Sequence, residues 1–430
     1  MTDLIQQDNR QRLKQHRRRY EVLAEQLEWQ KIEIEAVTTD AEGFSVAVPS
    51  WGLGQGGTRF GRFPIAGEPR NLMEKLHDAA LVQQLVGITP RVSLHIPWDR
   101  PENPRILKKV ARELGLGFDA MNSNTFQDQP DQKHSYKFGS LCHTDKAVRH
   151  QAIEHNLECI EIGRAIGSKS LTIWLADGGC FPGQQHLRNA LDRVIDSLKS
   201  VYAGLPRTWR LFTEHKPFEP GFYSTVVQDW GTSLMIAQAL GPQASCLVDL
   251  GHHLPNCNIE MVVARLIAAN RLGGFHFNDS KYGDDDLSSG SIKPYQLFLV
   301  MHELIDAVQD PNIRKRRPRF QPCYMMDQSH NLKDPIEDLV LSSIEIHRAH
   351  IKALLVDREA LTYHQEGNDV TMAEQVLKRA YETDVSPILD EVRLRKGAAL
   401  MPVEVYRKSR YREKVTGERG IKMDFGGGII

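Results

Sequence analysis

The chain has 430 residues, and its 54 Lys and Arg nearly balance its 55 Asp and Glu, for a formal charge of −1. That balance argues against a dedicated nucleic-acid protein or an anionic-membrane protein. With 41% hydrophobic and 25% charged residues, the composition is that of an ordinary globule long enough to bury a large core, and no apolar stretch is long enough to span a bilayer.

The first residues, Met-Thr-Asp-Leu-Ile-Gln, contain no apolar signal core, and the six cysteines (142, 159, 180, 246, 257 and 323) show no paired spacing. Both features suit a cytoplasmic protein. Residues 7–35 form a polar helical pattern whose basic run, His16 to Arg19, reads as a solvated face. Eight short apolar runs then follow as candidate strands: Phe44–Val48, Val92–Ile96, Gly117–Met121, Leu171–Trp174, Arg210–Thr213, Cys246–Val248, Gly274–Phe277 and Pro322–Met326. Helical periodicity fills the spaces between them, at Asp145–Ile166, Leu187–Tyr202, Thr225–Ala239, Ile259–Asn270, Pro294–Val308 and Pro335–Leu355. Strand–helix alternation repeated eight times predicts an α/β fold, a (β/α)8 barrel, in preference to an open doubly wound sheet. The basic run Arg314 to Pro318 reads as an exposed loop before the last strand. Residues 358–415 carry further helical stretches, including Asp369–Tyr381 and Val385–Lys396. The expected organisation is an amino-terminal helical segment (1–40), a barrel (41–357) and a carboxy-terminal helical extension (358–430) that caps the barrel or meets another subunit.

Charged residues at the mouths of buried runs are costly unless something pairs with them. Glu214, Asp249, His276 and Asp327 sit at or near the ends of candidate strands five to eight. In a parallel barrel all of these ends open on one face, so the four residues can converge. Three carboxylates and one imidazole form a hard, mainly oxygen site that suits Mn²⁺ first, Mg²⁺ or Co²⁺, with Zn²⁺ also accommodated. His252 follows Asp249 by three residues, and Asp284 and Asp286 point the same way on an extended segment. This second group leaves positions open for water or substrate, and Asp249 could serve both ions. Each residue alone reads as a cap or an ion pair. Together, on four adjacent strand ends, they read as a centre for two divalent ions.

Lys216, two residues beyond Glu214, can reach the same cleft and hydrogen-bond a substrate carbonyl. Trp51, His95, Phe126 and Trp174 each follow or end an early strand, and aromatic rings around a polar cleft suit the C–H faces of a sugar. The stretch Gly52-Leu-Gly-Gln-Gly-Gly57 matches a dinucleotide fingerprint, but Thr58-Arg-Phe60-Gly-Arg-Phe63-Pro64 follows where a helix should open. A glycine-rich lid bearing Phe60 fits these residues better.

These motifs carry a resemblance. Val48-Pro-Ser-Trp-Gly52, Ser93-Leu-His-Ile-Pro-Trp-Asp99, Phe118-Asp-Ala-Met-Asn-Ser-Asn124, Glu214-His-Lys216, Val248-Asp-Leu-Gly-His-His253, Gly274 to Asp286 and Asp327-Gln-Ser-His330 resemble the L-rhamnose isomerases, in particular a broad-specificity bacterial branch. The more distant xylose isomerases share the Glu-x-Lys, acid-x-x-His and Asp-x-Asp spacings. The resemblance implies an aldose–ketose isomerase converting L-rhamnose to L-rhamnulose. It implies one ion held by Glu214, Asp249, His276 and Asp327, and a second held by His252, Asp284 and Asp286. It also implies catalytic roles for Lys216, His252, Asp284 and Asp286, with Lys216 at the reacting end of the sugar. Trp51, His95, Phe126 and Trp174 would line the sugar site, and Phe60 would come from a neighbouring subunit of a homotetramer. The implied partner is a small sugar, with no nucleic acid and no membrane. Hydride shift and proton transfer through an enediol both remain open. So do a different metal-dependent sugar isomerase or epimerase on this scaffold, a barrel endonuclease, and a sugar-binding barrel with structural ions.

Overall fold

The computed structural model describes residues 1–54, 63–219, 221, 223–316, 320–329 and 332–421. Its strands are short, all parallel, and follow one another around a ring. They are β1 (Val48–Pro49), β2 (Arg91–Ser93) continued by β3 (His95–Ile96), β4 (Gly117–Phe118) continued by β5 (Met121–Ser123), β6 (Ser170–Leu175), β7 (Arg210–His215), β8 (Ala244–Asp249), β9 (Leu272–Phe277) and β10 (Cys323–Met326). One sheet runs β1-β2-β4 and the other β10-β9-β8-β7-β6-β5-β3. The two are continuous, because β2 runs into β3 and β4 into β5 across one or two residues. A parallel bridge between Ala47 and Met325 closes the ring, with Ala47 N donating to Tyr324 O (2.7 Å) and Met326 N to Ala47 O (3.1 Å). Ten strand segments thus occupy eight positions of a closed barrel.

A helix follows each position: Leu72–Val86, Pro104–Glu113, Lys146–Ile166, Leu187–Ala203, Trp230–Leu240, Ile259–Ala268, Pro294–Gln309 and Pro335–Leu354. Six of the eight start on an Asn or Asp whose side chain accepts a backbone N–H of the first turn: Asn71, Asn103, Asp145, Asp229, Asn258 and Asp334. The cap at Asp229 explains why the fifth helix starts later than the periodicity from Thr225 predicts. The first two helices were not among the predicted elements. Leu72–Val86 buries residues nearly all round and so shows little face contrast.

The chain ends pack together outside the barrel. The amino-terminal pattern resolves into two helices, Thr2–Glu28 and Ile34–Glu42, separated by a turn with Lys31 at positive φ. The basic run there is not simply solvated. His16 is buried with Nε2 2.7 Å from Glu391, and Arg19 reaches Asp390 at 3.2 Å. Asn9 donates to Ala398 O (2.8 Å) and accepts from Leu400 N (2.9 Å). The carboxy-terminal helices are Arg358–Glu366, Val370–Glu382, Ser386–Arg395, Pro402–Lys408 and Tyr411–Arg419. Residues 314–316 of the basic segment expected as a loop lie in a short exposed helix, Pro311–Arg316, and residues 317 and 318 lie outside the described residues. None of the described helices is long and apolar enough to cross a membrane.

Inside the ring, side chains alternate between barrel interior and helix layer. Ala120, Phe212 and Leu247, with Cys323 against them, form a small apolar cluster separate from the main core. Two residues further along each strand, on the same face, come Asn122, Glu214, Asp249 and Met325. The apolar layer therefore plugs the barrel beneath the polar one. Between β8 and β9 the register slips: Cys246 pairs with Leu272 but Leu247 with Gly274, leaving Gly273 as an extra residue. The slip lets Leu272, Phe275 and Phe277 face the helix layer while His276 faces inward. A Cβ on Gly273 would lie 2.6 Å from the Phe212 ring and 2.7 Å from Ser245 Cβ. We expect Gly273→Ala to destabilise the fold by about 1–3 kcal/mol, the usual cost of overpacking, measured by urea denaturation.

Candidate metal centre

The acidic and imidazole groups reach the centre from four consecutive strands and the connections that leave them. Glu214 is the penultimate residue of β7, Asp249 the last of β8, and His276 the penultimate of β9, while Asp327 directly follows β10. His252 lies in the turn leaving β8, and Asp284 and Asp286 in the long connection after β9. The ligand atoms of Glu214, Asp249, His276 and Asp327 lie within 4.8 Å of one another, and so do those of Asp249, His252 and Asp284. The predicted first group is therefore assembled in full. Of the predicted second group, His252 and Asp284 come together with Asp249, which both groups share, while Asp286 lines the same cavity outside that cluster.

The geometry is tight. His276 Nδ1 is 3.1 Å from Glu214 Oε1, 3.1 Å from Asp327 Oδ2 and 3.8 Å from Asp249 Oδ2. His252 lies 3.2 Å from Glu214 through Nδ1, and 3.2 Å from Asp284 and 3.9 Å from Asp249 through Nε2. Asp249 is 1% exposed, and its Oδ2 is buried without a hydrogen-bond donor. Burial pushes the Glu214 carboxyl up, against the pull of His276. Asp249 is held well above the usual carboxylate range by burial and by the charges of Asp327 and Glu214. Burial works against a charged His276, but Glu214 and Asp327 outweigh it and raise the imidazole well above its ordinary value. Asp327 moves the other way: burial opposes its ionisation, but hydrogen bonds from His276 and Trp51 prevail. A cation would satisfy all of these groups at once, and the orphaned Oδ2 marks where it fits.

Lys216 is fully buried, with Asp284 as a hydrogen-bond partner and Glu219 3.1 Å from its Nζ. Its ammonium also lies 5.3 Å from the Trp174 ring centroid. The aromatic residues form a continuous arc: Trp51 to His95 (5.3 Å between centroids), His95 to Phe126 (5.9 Å), Phe126 to Trp174 (4.2 Å) and Trp174 stacked on His252 (6.0 Å). Trp51 Nε1 donates to Asp327 Oδ1 at 2.8 Å, tying the arc to the first group. Both ring nitrogens of His95 are buried without a protein partner, and burial lowers its pKa to about 4, so the ring is neutral at ordinary pH. Phe60 and His330 lie outside the described residues.

Some neighbours were not singled out from sequence. Asn122 lines the cavity between the arc and the ligand groups. Trp98 packs edge-on to His95 at 4.8 Å. Glu219 faces Lys216 from a turn at positive φ. Asp99 accepts from Ser50 Oγ, His95 N (2.8 Å) and Lys75 Nζ (2.7 Å), and so fixes the loops bearing Trp51 and His95. The inward parity of Asn122 was the one available signal.

Residues 84–314, more than half of the chain, match the family of xylose isomerase-like TIM barrels. The chain belongs to that family. A protein named probable sugar isomerase from Rhizobium meliloti (strain 1021) is 58% identical over 429 residues, spanning 100% of this chain and 99% of that one. A second probable sugar isomerase, from Mesorhizobium japonicum, is 57% identical over 428 residues, spanning 100% of this chain and 98% of its own. The solved structure of an L-ribulose 3-epimerase matches with a TM-score of 0.50 at 15% identity, over 73% of this chain and 98% of that one, a likeness of fold alone.

The clustered carboxylates of this family member make a direct prediction. In chelator-treated protein, Mn²⁺ at about 100 times its dissociation constant should add about 2.7 kcal/mol of stability, seen as a rise in melting temperature. Asp249→Asn should melt higher than the wild type without ions and gain nothing from Mn²⁺.

Proposed function

We propose that this protein is a divalent-metal-dependent aldose–ketose isomerase that interconverts L-rhamnose and L-rhamnulose and accepts other aldoses. One observation carries the reading: two ligand groups share Asp249 at the rim of the barrel, directly beneath an aromatic arc. The two relatives that match the whole chain are both named as probable sugar isomerases. The segments that resemble L-rhamnose isomerases supply the choice of sugar.

The reaction moves one hydrogen from C2 to C1 and one proton from O2 to O1, so nothing is gained or lost. Two divalent ions, Mn²⁺ foremost, would neutralise the carboxylates and polarise the sugar's oxygens when bound. The chain's own groups do the rest. Lys216, held by Asp284 and Glu219, would donate a hydrogen bond from Nζ to the carbonyl oxygen. Asp284 and Asp286, with His252 beside them, would take up and return the hydroxyl proton. His95, neutral and with both nitrogens available, would hold a sugar hydroxyl. Trp51, Phe126 and Trp174 would pack on the C–H faces and keep water out.

The reading extends to a cytoplasmic homotetramer with 41–357 as the catalytic unit. The carboxy-terminal extension 358–430 would serve assembly, with 1–40 as a helical segment beside the barrel, and Phe60 would close a neighbour's cleft.

The test is ketose formation from L-rhamnose after chelation, with Mn²⁺ added back. We expect turnover to return with the ion and Lys216→Met to lower kcat by about 10²–10³-fold, the usual loss on removing one donor to a developing oxyanion. An enzyme that leaves L-rhamnose untouched while epimerising a ketose would contradict the isomerase reading.

A further inference from the structure

Asp249 belongs to both ligand groups, and the oxygen that faces both is the same one. Oδ2 lies 3.8 Å from His276 Nδ1 in one group and 3.9 Å from His252 Nε2 in the other. The other oxygen, Oδ1, is turned away and fully engaged. It accepts Gly251 N at 2.7 Å and Asn278 Nδ2 at 2.9 Å. The Gly251 donor is a local turn contact two residues along the chain. The Asn278 donor comes from the connection that leaves the neighbouring strand. Asn278 lies two residues beyond His276, just past the end of β9, and Asp249 pairs with His276 in the ladder.

Asn278 is 1% exposed, and its own Oδ1 is buried without a protein donor. A buried amide oxygen left this way is costly. Turning the amide over would place its oxygen against Asp249 Oδ1, acceptor facing acceptor, and would be worse. The amide is therefore locked in one orientation by the carboxylate it serves, at a cost the fold alone does not require. An apolar side chain of similar size would remove that cost.

We infer that Asn278 is a positioning residue for both ligand groups at once: by engaging Oδ1 of Asp249, it holds Oδ2 as the single oxygen that the two groups share. The inference rests on the metal-dependent reading above but not on any particular sugar. A partner that orients a ligating carboxylate is worth about 10–100-fold in ion affinity. Because one oxygen serves both groups, the loss must appear at both.

The test uses the full chain, stripped with chelator and titrated with Mn²⁺ alone by calorimetry and electron paramagnetic resonance. Asn278→Leu should melt no lower than the wild type without ions, yet bind both Mn²⁺ ions about 10–100-fold more weakly. His252→Ala should weaken one ion far more than the other. Asn278→Asp, which replaces the donor with a carboxylate oxygen, should weaken both ions as Asn278→Leu does, and it carries the test if the leucine variant fails to fold. Wild-type affinity at both sites in either variant, or loss confined to one, would overturn the inference. A wild-type protein that binds two Mn²⁺ with the expected Asn278 dependence but converts no aldose would sink the isomerase reading and leave this one standing. A wild type that binds no Mn²⁺ would end both.

Discussion

Two buried carboxylates, a buried imidazole and the half-buried Asp327 meet at one end of the barrel, close enough to touch a common point. Two like charges 4 Å apart repel by about 4 kcal/mol at an effective dielectric of 20. A backbone donor, Gly251 N to Asp249 Oδ1 at 2.7 Å, offsets only part of that. Burial first, and the neighbouring carboxylates after it, push Glu214 and Asp249 up, while Glu214 and Asp327 raise His276 against its burial. A divalent ion would relieve the repulsion. The rest of the site is arranged around that need: Trp51 and His276 hold Asp327, Asn278 and Gly251 hold Asp249, and Lys216 balances Asp284.

The scaffold makes this arrangement tolerable. The layer of Phe212, Leu247 and Ala120 fills the barrel below the charged groups. Arg210 lies over the Phe212 ring, 5.0 Å from its centroid. The charged layer therefore rests on a packed floor and opens only upward, towards the aromatic arc. The register slip at Gly273 belongs to the same design, because it lets an otherwise outward-packed β9 present His276 to the centre.

Much of this could be read from the residues, because strand ends in a parallel barrel share a face. Glu214, Asp249, His276 and Asp327 needed only their place at the ends of apolar runs to be grouped. Asp284 and His252 followed from short spacings. The harder features depended on three-dimensional register. The division of the second strand at Leu94, the bulge at Gly273 and the donation from Asn278 to Asp249 arise from how neighbouring strands slide past one another, which no single run encodes. The helix Leu72–Val86 escaped notice because it is buried nearly all round, so its apolar residues show no one-sided stripe. The basic run at His16 misled because its partners, Glu391 and Asp390, lie nearly the whole chain away.

The most direct measurement is anomalous diffraction from crystals of the chelated protein soaked in Mn²⁺, collected above and below the manganese edge. The account predicts two peaks, one among Glu214, Asp249, His276 and Asp327 and one beside Asp249, His252 and Asp284, with Asp249 reaching both. Crystals that show no manganese at these side chains, or show it only elsewhere on the surface, would contradict it.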